Sequence, residues 1–208
     1  MKKRRIVLLV VLVMLAFGAA FPFCRAAYQM KQYLRVVNPH FVSYAKLFAG
    51  YNPVGGEFYM RVTDGSGDSI SLECVSDGKI IDEVRADKYI EDNNISARFT
   101  VDDESIGALH CYWKYNAPSE PMFLLSVHEK GALSVTSEEQ LEAVLKERML
   151  AHYEQLPDIV TDRLFRCHTA HQTDSAMYRI TVFTNAEDDF ELLLNQAEMT
   201  KEELKQLL

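Results

Sequence analysis

The densest group of metal-ligating or nucleophilic side chains in the sequence is Cys167, His168 and His171 in the run CHTAH. A zinc site needs about four soft donors in tetrahedral array. Here there are three, with Asp162 and Asp174 as nearby extras. In an extended chain neighbouring side chains point to opposite faces, so Cys167 and His168 reach one ion only across a turn. A strand end with one buried cysteine accounts for the same residues. His110 and Cys111 are adjacent as well. A thiol nucleophile needs a base within reach and surroundings that lower its pKa, and adjacent strand residues do not provide this to each other. His128-Glu129 lacks the second histidine of a zinc-protease helix. His152 falls on an apolar helix stripe, and His40 opens an apolar stretch without a visible partner. The acid groups Asp82-Glu83 and Glu187-Asp188-Asp189 lack the ligand spacing of an EF-hand. Asp64 to Asp68, DGSGD, reads as a hairpin turn. There is no Gly-rich phosphate loop and no serine nucleophile elbow. The sequence therefore assigns no catalytic, cofactor-binding or metal residue, and implies no cofactor.

The elements that would position these residues begin with MKKRR, four cations ahead of an unbroken apolar run from Ile6 to Cys24. As a helix this run would rise roughly 28 Å, near the thickness of a bilayer core. The cations predict a cytoplasmic N-terminus. Residues 1–27 are thus expected to be a signal anchor, a single-pass tether with the rest of the chain outside the membrane. The alternative is a cleaved signal peptide and a secreted product. Beyond Ala27 the formal charge moves from −8 to about −13, because five of the 22 cations and none of the 30 acids lie before it. Such a balance is a poor match for nucleic acid. The three cysteines beyond it, Cys74, Cys111 and Cys167, are too few for a disulfide-built scaffold. Cys74 is in phase with Ile70 and Leu72, which predicts burial.

Past Ala27, Tyr28, Met30, Tyr33, Leu34 and Val37 predict a helix stopped by Asn38-Pro39. His40 to Ala49, Glu57 to Thr63, Asp68 to Ser76 and Lys79 to Val84 read as strands of a β-meander, the clearest pattern in the chain. A short helix over Ala86 to Asn94 and a strand over Ser96 to Val101 follow, with a glycosylation-type triplet at Asn94-Ile95-Ser96. Asn116 to Pro121 reads as a linker. Met122 to Glu129 is a strand. Ser137-Glu138-Glu139-Gln140 is a capping box. It opens a helix to about Leu156, with Leu141, Val144, Leu145, Met149 and His152 on one stripe. Ile159 to Thr169, Ala176 to Thr184 and Phe190 to Leu194 read as strands, with a turn over Asn185 to Asp189. Thr200 to Glu203 caps a terminal helix.

Helix followed by antiparallel strands, twice, predicts an α+β protein. The expected organisation is 1–27 anchor or signal peptide, 28–101 helix plus meander, 102–121 connecting segment and 122–208 second α+β module. KKRR, YQMKQYL, GEFYMRVTDGSG and SDGKIIDEV, within residues 1–90, resemble small membrane-anchored extracytoplasmic proteins of Gram-positive bacteria. That resemblance implies a cystatin-like or PepSY-like helix-on-sheet fold, possibly in tandem, and carries over no functional residue. The expected function is non-enzymatic binding of a protein or cell-envelope component by a membrane-tethered domain held through residues 6–24. The alternatives are a thiol- or metal-dependent extracytoplasmic enzyme using Cys111 or Cys167, or an accessory subunit of a membrane complex.

Overall fold

The computed structural model describes residues 2–75, 78–172, 177–183 and 196–200, with residues 2–10, 12, 172, 177, 182, 183 and 196–200 described by backbone alone. Contacts divide the chain into two units. The first is Met1–Glu83 with Trp113–Glu120, and the second is Val84–Tyr112 with Pro121–Leu208.

In the first unit, helix α1 (Lys2–Val37) runs without a break. From Ala26 onward it is a core helix. Ala26, Ala27, Met30, Tyr33 and Leu34 recur at helical spacing and are all buried. They cover the antiparallel strands β1 (Gly50–Asn52), β2 (Glu57–Thr63), β3 (Ser69–Cys74) and β4 (Lys79–Ile81). Alternation sends Met60, Val62, Ile70, Leu72 and Cys74 inward. The Tyr33 hydroxyl donates to the buried Asp82 carboxylate at 3.0 Å, tying helix to sheet. Trp113 pairs with Ile80 and completes this core.

The second unit contains helix α2 (Glu83–Asp92), strands β5 (Arg98–Val101), β6 (Ser105–Lys114) and β7 (Ala117–Glu129), and helices α3 (Glu138–Tyr153) and α4 (Asp158–Thr161). Strands β8 (Leu164–Gln172), β9 (Met177–Phe183) and β10 (Gln196–Thr200) follow. The strand order is β5-β6-β7-β8-β9-β10. The Ser137 hydroxyl accepts from the Gln140 N–H and starts α3. Leu141, Leu145, Met149 and His152 form its buried stripe. Both helices cover one face of the strands: Tyr89 of α2 meets Phe123, and His152 of α3 meets Phe99. The opposite face bears the candidate site.

Several expectations are corrected. Among the described residues, no helix is long and apolar enough to cross a membrane. Helix α1 continues as a core element of the first unit rather than ending at a membrane surface. The signal anchor, the membrane contact through residues 6–24 and the tethered location are corrected accordingly. The protein or envelope partner inferred from that location loses its basis with them.

The fold is α+β with a mixed sheet, not antiparallel modules in tandem. Strands β7 and β8 are parallel, as are β9 and β10. A parallel pair needs a long crossover, which α3 and α4 supply. The strand expected over His40 to Ala49 is replaced in part by a 3-10 turn over Pro39–Ser43, because proline at the start of a helical turn presets its backbone angle. Ile159 and Val160 belong to α4, so β8 starts later than its sequence pattern suggests. The turn over Asn185 to Asp189, the strand over Phe190 to Leu194 and the terminal helix lie outside the described residues, apart from Thr200 at the end of β10.

Candidate functional site

A β-bulge builds the site. Phe123 pairs with Leu164, but Leu124 pairs with Arg166, leaving Phe165 as the extra residue of β8. Leu164 points inward beside Phe123. In a regular strand His168, four residues on, would point inward too. The bulge shifts the phase by one residue, so Cys167, Thr169 and His171 turn inward and are buried, while His168 turns outward. It arrives opposite Ser126 of β7.

There the Ser126 hydroxyl lies between two imidazoles. It is 2.8 Å from His168 Nε2 and 2.9 Å from His128 Nε2. The two rings stand edge to face with centroids 6.3 Å apart. Strand alternation and register place His110 of β6 and Arg98 of β5 on the same face. At its other end Met122, Leu124 and Phe165 form a small apolar cluster with Tyr112, whose ring meets Phe165 edge-on.

The electrostatics follow from this crowding. Burial, then Arg179, His128, Arg166 and His110, push the His168 imidazole down to about 3. Burial, His128 and Arg98 lower His110 as well. His168 is therefore neutral at ordinary pH. A serine hydroxyl has one proton to give. Ser126 therefore donates to one Nε2 and accepts an N–H from the other, so its two imidazole partners play opposite hydrogen-bond roles. Ser126 itself is buried by its partners. The arrangement is a hydrogen-bond relay on the sheet face opposite the helices.

The other sequence candidates are distributed elsewhere. Cys167 is fully buried and burial pushes its thiol far up, which removes the thiolate needed for nucleophilic attack. Cys111 is buried, facing away from His110. None of the four cysteines is in a disulfide. His171 points to the same side as Cys167 and away from His168. Among the described residues no group of three or more His, Cys, Asp or Glu side chains comes together to hold a metal. His152 is fully buried; its Nε2 is 2.8 Å from the Ser105 hydroxyl and its Nδ1 has no hydrogen-bond partner. His40 stands 3.9 Å from Asp64. Asp64 accepts from the Ser66 hydroxyl at 2.7 Å and from the Ser66 and Asp68 N–H groups, and these bonds hold its carboxyl low and stiffen the turn. Asp82 is taken up by Tyr33. Asn94 sits in an exposed left-handed turn. Glu187, Asp188, Asp189 and Asp174 lie outside the described residues.

Sequence reading did not find Ser126 or its pairing with His128 and His168. The His128 and Ser126 spacing of two residues in a strand was a usable signal, because it puts both on one face. Pairing with His168 depends on the bulge, for which the sequence holds no marker.

Fold and site together define an α+β protein with a mixed sheet and an imidazole-bearing sheet face in its second unit. No family model matches the chain, and no curated protein and no solved structure is similar to it.

Proposed function

We propose that the second unit is a binding module that takes an anionic group on the face bearing Arg98, His110, His128 and His168. The observation that carries this reading is the composition of that face. Three imidazoles and a guanidinium gather there in a chain of formal charge −8, and the charged or ionisable neighbours to which the His168 shift is traced among the described residues are Arg179, His128, Arg166 and His110. A surface of this kind carries N–H donors and positive potential, which an oxyanion matches. Exposure of Arg98, His110 and His128 leaves them accessible to a ligand. The Ser126 hydroxyl is within reach of two imidazoles but is itself buried between them, so the geometry supports binding rather than turnover.

The test is a titration of the folded protein with sulfate, followed through the ring C–H resonances of its histidines by NMR. His110, His128 and His168 are expected to shift together and saturably, while His40 and His152 stay in place. Arg98→Gln should weaken the saturable shift several-fold. Shifts that are linear in sulfate, or spread equally over all histidines, would overturn the reading.

A further inference from the structure

We infer that binding of an oxyanion at this face is coupled to uptake of one proton by the His128–Ser126–His168 relay, which makes the site acid-gated; this rests on the anion-binding reading above. The argument is one of hydrogen counting. In the neutral relay one imidazole is protonated at Nδ1 and accepts the Ser126 O–H at its Nε2. The other donates its Nε2–H to Ser126 Oγ and keeps a lone pair on Nδ1. The relay as a whole thus presents an acceptor as well as donors. An oxyanion, being acceptor-only, meets that lone pair unfavourably.

One proton from bulk water relieves the mismatch. Added to an imidazole nitrogen, it turns both rings of the pair into donors at one of two stations. Either the free Nδ1 becomes N–H, or the accepting Nε2 becomes N–H and the Ser126 oxygen receives two donors, releasing its own O–H toward the ligand. No heavy-atom bond forms or breaks. The first station removes the lone pair and leaves donors alone, whereas the second keeps the lone pair and adds the Ser126 O–H as a donor; either way the relay gains one positive charge.

Neighbouring groups explain why the proton waits for the ligand. Arg98 from β5, His110 from β6, Arg166 from β8 and Arg179 from β9 face the pair or act on its charge. Every one of them opposes an added cation. The negative charge of a bound oxyanion offsets that opposition, so ligand and proton favour each other by linkage. A metal ion held by the same imidazoles would show the opposite sign, since it competes with protons for their lone pairs.

The experiment is calorimetry of the full chain with sulfate, which stays a dianion across the range, from pH 5 to 7.5 in buffers of different ionisation enthalpy. Any proton exchanged then belongs to the protein. The expected result is net proton uptake, at most one per sulfate, with affinity rising as pH falls. His128→Gln, at an exposed position, should bring uptake toward zero and flatten the pH dependence. Arg98→Gln should weaken binding at every pH. Sulfate binding without buffer-dependent heat, or affinity that rises with pH, overturns the coupling while leaving the anion site standing. Absence of sulfate binding at every pH overturns both.

Discussion

His152 and His168 face opposite sides of the same strands, and each is neutral because charging it there is costly. His152 is sealed under α3 with its Nδ1 unbonded; burial and Arg148 lower its pKa. His168 is held at about 3 by burial and its cationic neighbours. In the unfolded chain both would titrate near 6.5. Between that value and the folded one, the unfolded state binds more protons than the native state. Stability is then fully present above about pH 6.5 and is lost as pH falls below it, by up to about 1.4 kcal/mol per pH unit for each group. Urea denaturation from pH 7.5 to 4.5 should show this loss, and His168→Gln should reduce its slope. An unchanged midpoint across that range would contradict both assignments. The burial of His152 was legible in the sequence from its place on an apolar stripe. Its partner Ser105 was not, because contact across 47 residues of chain leaves no local pattern. Gly107 is part of the same arrangement: an added Cβ would lie 2.6 Å from His152 Nδ1, so only glycine leaves room for the ring.

Among elements, β8 and the β5–β6 hairpin allow two kinds of contact to be ranked. Phe165, the bulge residue, is buried against Met122, Leu124 and Tyr112. Arg148 of α3 reaches Asp102 at 2.9 Å and also pairs with Glu104, in the turn where Asp102 and Asp103 adopt positive φ. Both carboxylates are mostly exposed. A buried Phe→Ala change costs about 3–5 kcal/mol, whereas exposed ion pairs contribute at most about 1 kcal/mol each. Phe165→Ala is therefore expected to lower the urea midpoint far more than Arg148→Ala, and only the latter effect should shrink in high salt. Comparable losses would mean that the hairpin clamp, not the bulge cluster, holds this part of the sheet. The strands around these contacts were largely readable. In the first unit the alternation of Met60, Val62, Ile70, Leu72 and Cys74 directly records one buried face. The continuous burial from Pro121 to Val127 has its counterpart in the apolar run MFLL, the mark of a strand with neighbours on both sides. What that run does not reveal is the direction of its neighbour, so the parallel pairing with β8 was missed. The bulge escaped for a related reason: Leu-Phe-Arg-Cys-His is compatible with either phase.

At the scale of the molecule, the two contact units are not two segments of chain. β6 and β7 each give residues to both: Trp113 and Lys114 of β6 pair with β4 in the first unit, and the preceding part of β6 pairs with β5 in the second. A sequence divided into consecutive modules cannot show this, because composition and turn signals mark positions along the chain and not which strands share a core. The sharing has a thermodynamic consequence. Unfolding the first unit must release Trp113 from its fully buried place opposite Ile80, and that frees the same strand on which β5 and β7 depend. Separate melting would leave part of a strand ordered with its backbone groups unpaired, which is unfavourable. Trp113 is the sole tryptophan of the chain, so its fluorescence reports the first unit alone, whereas far-ultraviolet circular dichroism follows helices and strands of both. The two signals are expected to give coincident urea transitions with one midpoint and one slope, the signature of a single cooperative process. A Trp113 transition complete while a substantial ellipticity change remains would show that the units melt independently despite their shared strands.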